Sequence, residues 1–159
     1  MSTVEVKNCA AQPTASVRVR VNPAELATVF PRYLPVIGAR AGQVGAAIAG
    51  PPFARYHAMS ATEFDVELGV PLARPMVGQQ ALFDAGEGEI GHSELPDCRA
   101  ATLVYHGPYG GLGGAWDELQ TWVEREGLVA TAAGWEVYVD DPERVPAQQL
   151  RTELYLPVG

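Results

Sequence analysis

The chain repeats itself. The segment FDVELGVP (Phe64 to Pro71) returns as RTELYLP (Arg151 to Pro157). Aligning the prolines places Glu67 against Glu153, Leu68 against Leu154 and Val70 against Leu156. One strand earlier, PFARYH (Pro52 to His57) stands opposite GWEVYVDD (Gly134 to Asp141), with Tyr56 against Tyr138. A repeat this long, present only twice, does not make a solenoid, whose units are shorter and stack in greater number. It predicts two similar half-domains, about residues 16–72 and 99–158, within a single domain spanning 1–159. A pseudo-twofold relation between the halves predicts a central ligand cleft on their axis.

Local patterns fill in each half. Alternation in SVRVRV (Ser16 to Val21) marks a strand with one buried face. Asn22, Pro23 and Glu25 form a helix start with a capping box, and Leu26, Val29, Phe30, Tyr33, Leu34 and Ile37 recur at helical spacing. Pro31 and Pro35 predict a kink or break. Strands are expected at Phe53–Ala58 and Glu63–Leu72, then a connector without period over Ala73 to Glu87. The second half offers strands at Glu89–Leu95 and Arg99–His106, a helix whose apolar face includes Ala115, Trp116, Leu119, Trp122 and Val123, a C-cap at Gly127, and strands at Trp135–Val139 and Leu150–Leu156. The class is α+β: a duplicated β-α-β-β unit, with an antiparallel sheet and two helices on one side.

Strand alternation assigns side chains to faces. Thr152, Leu154 and Leu156 belong under the helices, leaving Glu153 and Tyr155 on the other side. Taking Trp135, Val137 and Val139 as core puts Glu136 and Tyr138 with them, and Glu67 and Tyr56 join from the first half. This face has two readings. It is the wet side of a half-exposed sheet, where Glu and Tyr are ordinary. Alternatively it is a cleft, where aromatic walls dehydrate a carboxylate and a bound organic cation restores the balance.

Composition narrows the partners. A formal net charge of −8 lacks the clustered Lys and Arg that nonspecific nucleic-acid or anionic-membrane binding needs. No segment resembles a signal peptide or a membrane span. Cys9 and Cys98 form no metal motif and are expected as buried thiols in a reduced, cytoplasmic chain that is a monomer. His57, His92 and His106 are scattered, so neither metal nor cofactor is expected. GPYGGLGGAW has neither the ending of a phosphate loop nor dinucleotide spacing, and reads as a turn into a helix.

Four segments, GPPFARYH, FDVELGVP, HGPYGGL and WEVYVDDP … RTELYLPV, in this order resemble the GyrI-like small-molecule-binding domain. That domain is also the effector-binding part of bacterial multidrug-sensing regulators. The resemblance implies a duplicated fold with a central cleft, in which Glu136 is the carboxylate that neutralises cationic aromatic drugs. It implies an aromatic wall of Tyr56, Tyr109, Tyr138 and Tyr155, with Glu153 as a second acidic position. Phe53, Glu67, Trp116 and Trp135 complete the expected ligand-binding set. No helix-turn-helix region precedes the domain, so the expectation is a stand-alone binder of aromatic, often cationic small molecules with no direct nucleic-acid contact. Some family members hydrolyse strained cyclopropane-bearing alkylators; in that case Glu136 and Tyr138 would be catalytic. Others are associated with gyrase inhibition, which leaves a protein-binding module as a third expectation.

Overall fold

The computed structural model describes residues 3–43, 45–75, 83–84 and 89–159, so most of the expected connector lies outside the described residues. The elements run β1 (Val4–Cys9), β2 (Gln12–Val21), α1 (Leu26–Gln43), β3 (Phe53–Met59), β4 (Phe64–Pro71), β5 (Phe83–Asp84), β6 (Glu89–Leu95), β7 (Cys98–His106), α2 (Leu112–Arg125), β8 (Trp135–Tyr138) and β9 (Arg151–Pro157). They group into two compact units, Ala11–Pro96 and Met1–Ala10 with Asp97–Gly159. Each expected half falls inside one unit. No helix among the described residues is long and apolar enough to cross a membrane.

In the unit Ala11–Pro96 the strands run antiparallel in the order β3-β4-β2-β6-β5. Val17 pairs with Leu68 and Val19 with Val66, while Ala54 faces Leu68 from β3. These residues are buried, and α1 packs on β2 and β4 with Val29, Tyr33 and Ile37 buried. The Asn22 side chain accepts the Glu25 N–H at 2.9 Å, as a cap should. The helix proper starts at Leu26, after one tight turn. The expected break is absent: α1 runs on through Pro31 and Pro35. Both prolines are exposed and stand four residues apart, so they share the water-facing side, where solvent can hydrate the carbonyls they release.

In the other unit the order is β1-β7-β9-β8. Ala101, Leu103, Leu154 and Leu156 form a buried cluster with Ala115, Leu119 and Val123 of α2. Truncating Leu154, which is fully buried, to Ala would cost about 2–5 kcal/mol through lost transfer energy and a cavity. Gly127 ends α2 with φ 71°, in the left-handed region that a side chain would disfavour. Cys9 and Cys98 are half-buried, in register across the β1–β7 ladder, and not the buried thiols expected; β1 is an edge strand and leaves them partly open.

The pairing registers repeat position for position. Val17 opposite Leu68 matches Leu103 opposite Leu154, and Ala54 opposite Leu68 matches Glu136 opposite Leu154. Even the isolated bridges correspond, Ile48 to Leu72 and Ala130 to Val158. Glu67 and Glu153 occupy equivalent places, opposite Arg55 and Val137. The duplicated β-α-β-β unit is therefore present as β2-α1-β3-β4 and β7-α2-β8-β9.

Candidate functional site

Register corrects the face assigned to Glu136. Directly opposed residues on antiparallel strands point the same way. Glu136 opposes Leu154 and Tyr138 opposes Thr152, so both lie on the side covered by α2. Trp135 opposes Tyr155, and Val137 opposes Glu153, on the other side. Hydrophobicity misled the assignment: Trp135 gains its burial by stacking on Tyr155, with centroids 5.1 Å apart and planes 6° from parallel.

Beneath α2, Glu136 is 3% exposed. The Trp116 indole Nε1 donates to its Oε1 at 3.2 Å, and the Tyr138 hydroxyl donates to its Oε2 at 3.3 Å. Tyr109 meets Tyr138 edge-on at 5.7 Å and 72°. Tyr109 is 39% exposed, so the cluster reaches water through this ring. Burial raises its phenol pKa, and the negative charges of Asp140, Asp141 and Glu136 raise it further. Trp116 has room because position 134 is glycine; a Cβ there would stand 2.8 Å from the indole edge and 2.8 Å from the Tyr155 carbonyl. The arrangement offers a dehydrated carboxylate walled by three aromatic rings, suited to receiving a cation or a proton.

The other expected residues form separate groups. On the opposite face, the Tyr155 hydroxyl donates to Glu153 at 3.0 Å and the Lys7 ammonium stands 5.7 Å from the Tyr155 ring centre. Burial, then the Glu153 charge and hydrogen bond, push the Tyr155 phenol well above its usual range. In the first unit, Glu67 is buried with both oxygens engaged, Oε2 by Ser16 at 2.6 Å and Oε1 by His57 at 2.9 Å. Burial pushes the Glu67 carboxyl up, but hydrogen bonds from Ser16, His57 and Ser93 outweigh it and leave it low. Phe53 is fully packed on that same face. Tyr56 opposes Val66 and so lies with the apolar residues under α1, edge-on to Phe64 at 6.4 Å; the shared pattern with Tyr138 carries it there.

Two residues escaped the sequence reading. Tyr105, at the end of β7, donates its hydroxyl to the Pro108 carbonyl at 2.8 Å. Its signal was a tyrosine set just before a glycine-flanked turn. Thr152 opposes both Tyr105 and Tyr138, and its fully buried hydroxyl has no hydrogen-bond partner among the described residues. Nothing in sequence marks it.

Residues 2–159 match the GyrI-like small molecule binding domain. The chain belongs to the GyrI-like family. A search of curated protein sequences finds no match. Among solved structures, this GyrI-like chain is similar to the EcmrR C-terminal domain, with TM-score 0.81 and 23% identity, covering 100% of this chain and 98% of that one. EcmrR also appears in a DNA complex (TM-score 0.79, 24% identity), where the match covers 99% of this chain but spans only 57% of that one. A hydrolase encoded by lin2189 from Listeria innocua matches at TM-score 0.66 and 12% identity, covering 99% and 92%. SAV2435, solved bound to tetraphenylphosphonium, matches at TM-score 0.64 and 12% identity, covering 99% and 94%. These likenesses establish the fold, and the family establishes a small-molecule-binding domain.

Proposed function

We propose that this GyrI-like domain binds hydrophobic aromatic cations at the Glu136 cluster, for sensing, sequestration or protection. The observation that carries the reading is the buried Glu136 carboxylate held between Trp116 and Tyr138, with Tyr109 at the open edge. A carboxylate already out of water attracts a cation strongly, and aromatic rings add cation–π and stacking contacts. The tetraphenylphosphonium held by SAV2435 is a ligand of this chemistry. Titrating tetraphenylphosphonium into the protein by calorimetry tests the reading; absence of binding at millimolar ligand would end it.

A second reading is favoured by the fold shared with the Listeria innocua hydrolase. Here Glu136 would orient and deprotonate a water that opens a strained, cyclopropane-bearing electrophile. The Tyr138 hydroxyl would donate to the oxygen on which negative charge develops. Incubation with such an alkylator, followed by mass spectrometry, separates the two readings: many equivalents converted per protein mean an enzyme, and at most one means a binder.

A further inference from the structure

The HGPYGG turn between β7 and α2 is built around one phenol. The Tyr105 hydroxyl donates to the Pro108 carbonyl at 2.8 Å, and the same carbonyl receives the Gly111 N–H at 3.0 Å. The ring is wedged between two glycines. Gly107 holds φ 142°, open to glycine but strained for other residues, and a Cβ there would meet the Tyr105 Oη at 2.9 Å. A Cβ on Gly111 would overlap that oxygen outright. Between these glycines the 3₁₀ turn Tyr109–Gly111 carries Tyr109, whose ring meets Tyr138, whose hydroxyl meets Glu136.

We propose that Tyr105 is a positioning residue whose hydroxyl clamps the Gly107–Gly111 turn and so fixes Tyr109 against Tyr138 and the Glu136 carboxylate. Tyr105 is half-buried, with its ring packed against the core under α2, and it acts through Tyr109. The glycines of this motif thus serve to admit a phenol. Without the clamp the turn keeps a single hydrogen bond to the Pro108 carbonyl, and the exposed Tyr109 ring loses its fixed distance to Tyr138. The consequence for ligands rests on the cation-binding reading above, whereas the placement of Tyr109 does not.

The experiment therefore reads Tyr109 directly. 3-Fluorotyrosine is placed at position 109 and followed by fluorine NMR across pH, without ligand, in the parent protein and in Tyr105→Phe. The groups facing Tyr109 are Asp140, Asp141 and Glu136, which with burial hold its phenol above the usual range. Tyr105→Phe should move the fluorine resonance and bring the titration midpoint down toward that of an ordinary phenol. Gly111→Ala, which crowds the clamp from the other side, should do the same, so the test survives if one variant fails to fold. An unchanged resonance and midpoint in the folded variants overturns the proposal. With tetraphenylphosphonium as probe, Tyr105→Phe should weaken binding about three- to tenfold, the scale of one lost hydrogen bond. If Tyr109 moves and phosphonium affinity stays, the clamp stands and the Glu136 cluster is not the ligand site.

Discussion

Replacing Glu136 by Gln removes one charge and almost no volume. In the parent protein the carboxylate accepts from Trp116 at 3.2 Å and from Tyr138 at 3.3 Å, both neutral donors at long range. Gln keeps a carbonyl for the indole N–H, and its amide can donate to the Tyr138 hydroxyl, which accepts as well as donates. The fold should therefore lose about 1 kcal/mol or less. A bound cation loses far more. A charge pair at contact distance near a protein surface is worth about 4 kcal/mol, and breaking a buried pair costs on the order of 3–5 kcal/mol. Affinity for tetraphenylphosphonium should fall by about a hundredfold or more. Triphenylphosphine oxide, neutral and similar in its rings, should lose only a fewfold, because ring stacking persists. Calorimetry with both ligands, on parent and variant, measures the contrast. Equal losses would mean that the substitution damaged the pocket. No loss for the phosphonium would refute the role assigned to Glu136.

Three further outcomes are expected. Glu153→Gln should change phosphonium affinity less than threefold by the same calorimetry, because Glu153 and Tyr155 lie on the face opposite Glu136. Gly134→Ala should cost about 1–3 kcal/mol, since its methyl would press on both Trp116 and the Tyr155 carbonyl; thermal melting reads the loss, and near-ultraviolet dichroism reads the displaced indole. Ser16→Ala should cost about 1–3 kcal/mol at neutral pH by removing a hydrogen bond from the buried Glu67 carboxylate. Because Glu67 and Asp65 are held below their ordinary values, their contribution is complete above the unfolded carboxylate range of about pH 4 and disappears as pH falls through the lowered folded values. Ser16→Ala should thus move acid unfolding, followed by dichroism, to higher pH.

The repeat made the fold legible, because apolar alternation in strands and helical spacing in α2 are burial patterns that sequence records directly. Matching prolines gave the pairing of Glu67 with Glu153, and the registers agree with it. Faces were harder. In the strand WEVY, every second residue is apolar, which points Trp135 toward the core; the structure instead stacks it on Tyr155 and turns Glu136 under α2. The deciding partner, Trp116, lies on another element, and no local pattern carries that information. The prolines of α1 misled for a related reason: two breakers on one exposed face leave the released carbonyls where solvent can reach them, and the helix continues. The tyrosine before the glycine-flanked turn marked Tyr105 only faintly, because the acceptor of its clamp is a backbone carbonyl.

The duplication is equal in architecture and unequal in chemistry. Where one copy carries Glu136 opposite Leu154, the other carries Ala54 opposite Leu68. A methyl buries in that position without cost, whereas a carboxylate must be dehydrated and supplied with donors. Only one copy bears that burden, so the acidic position has no twin in the other half. On the proposed cation-binding reading, a cation at Glu136 should bind with a stoichiometry of one per chain, and its saturation curve should carry no cooperativity from within the molecule.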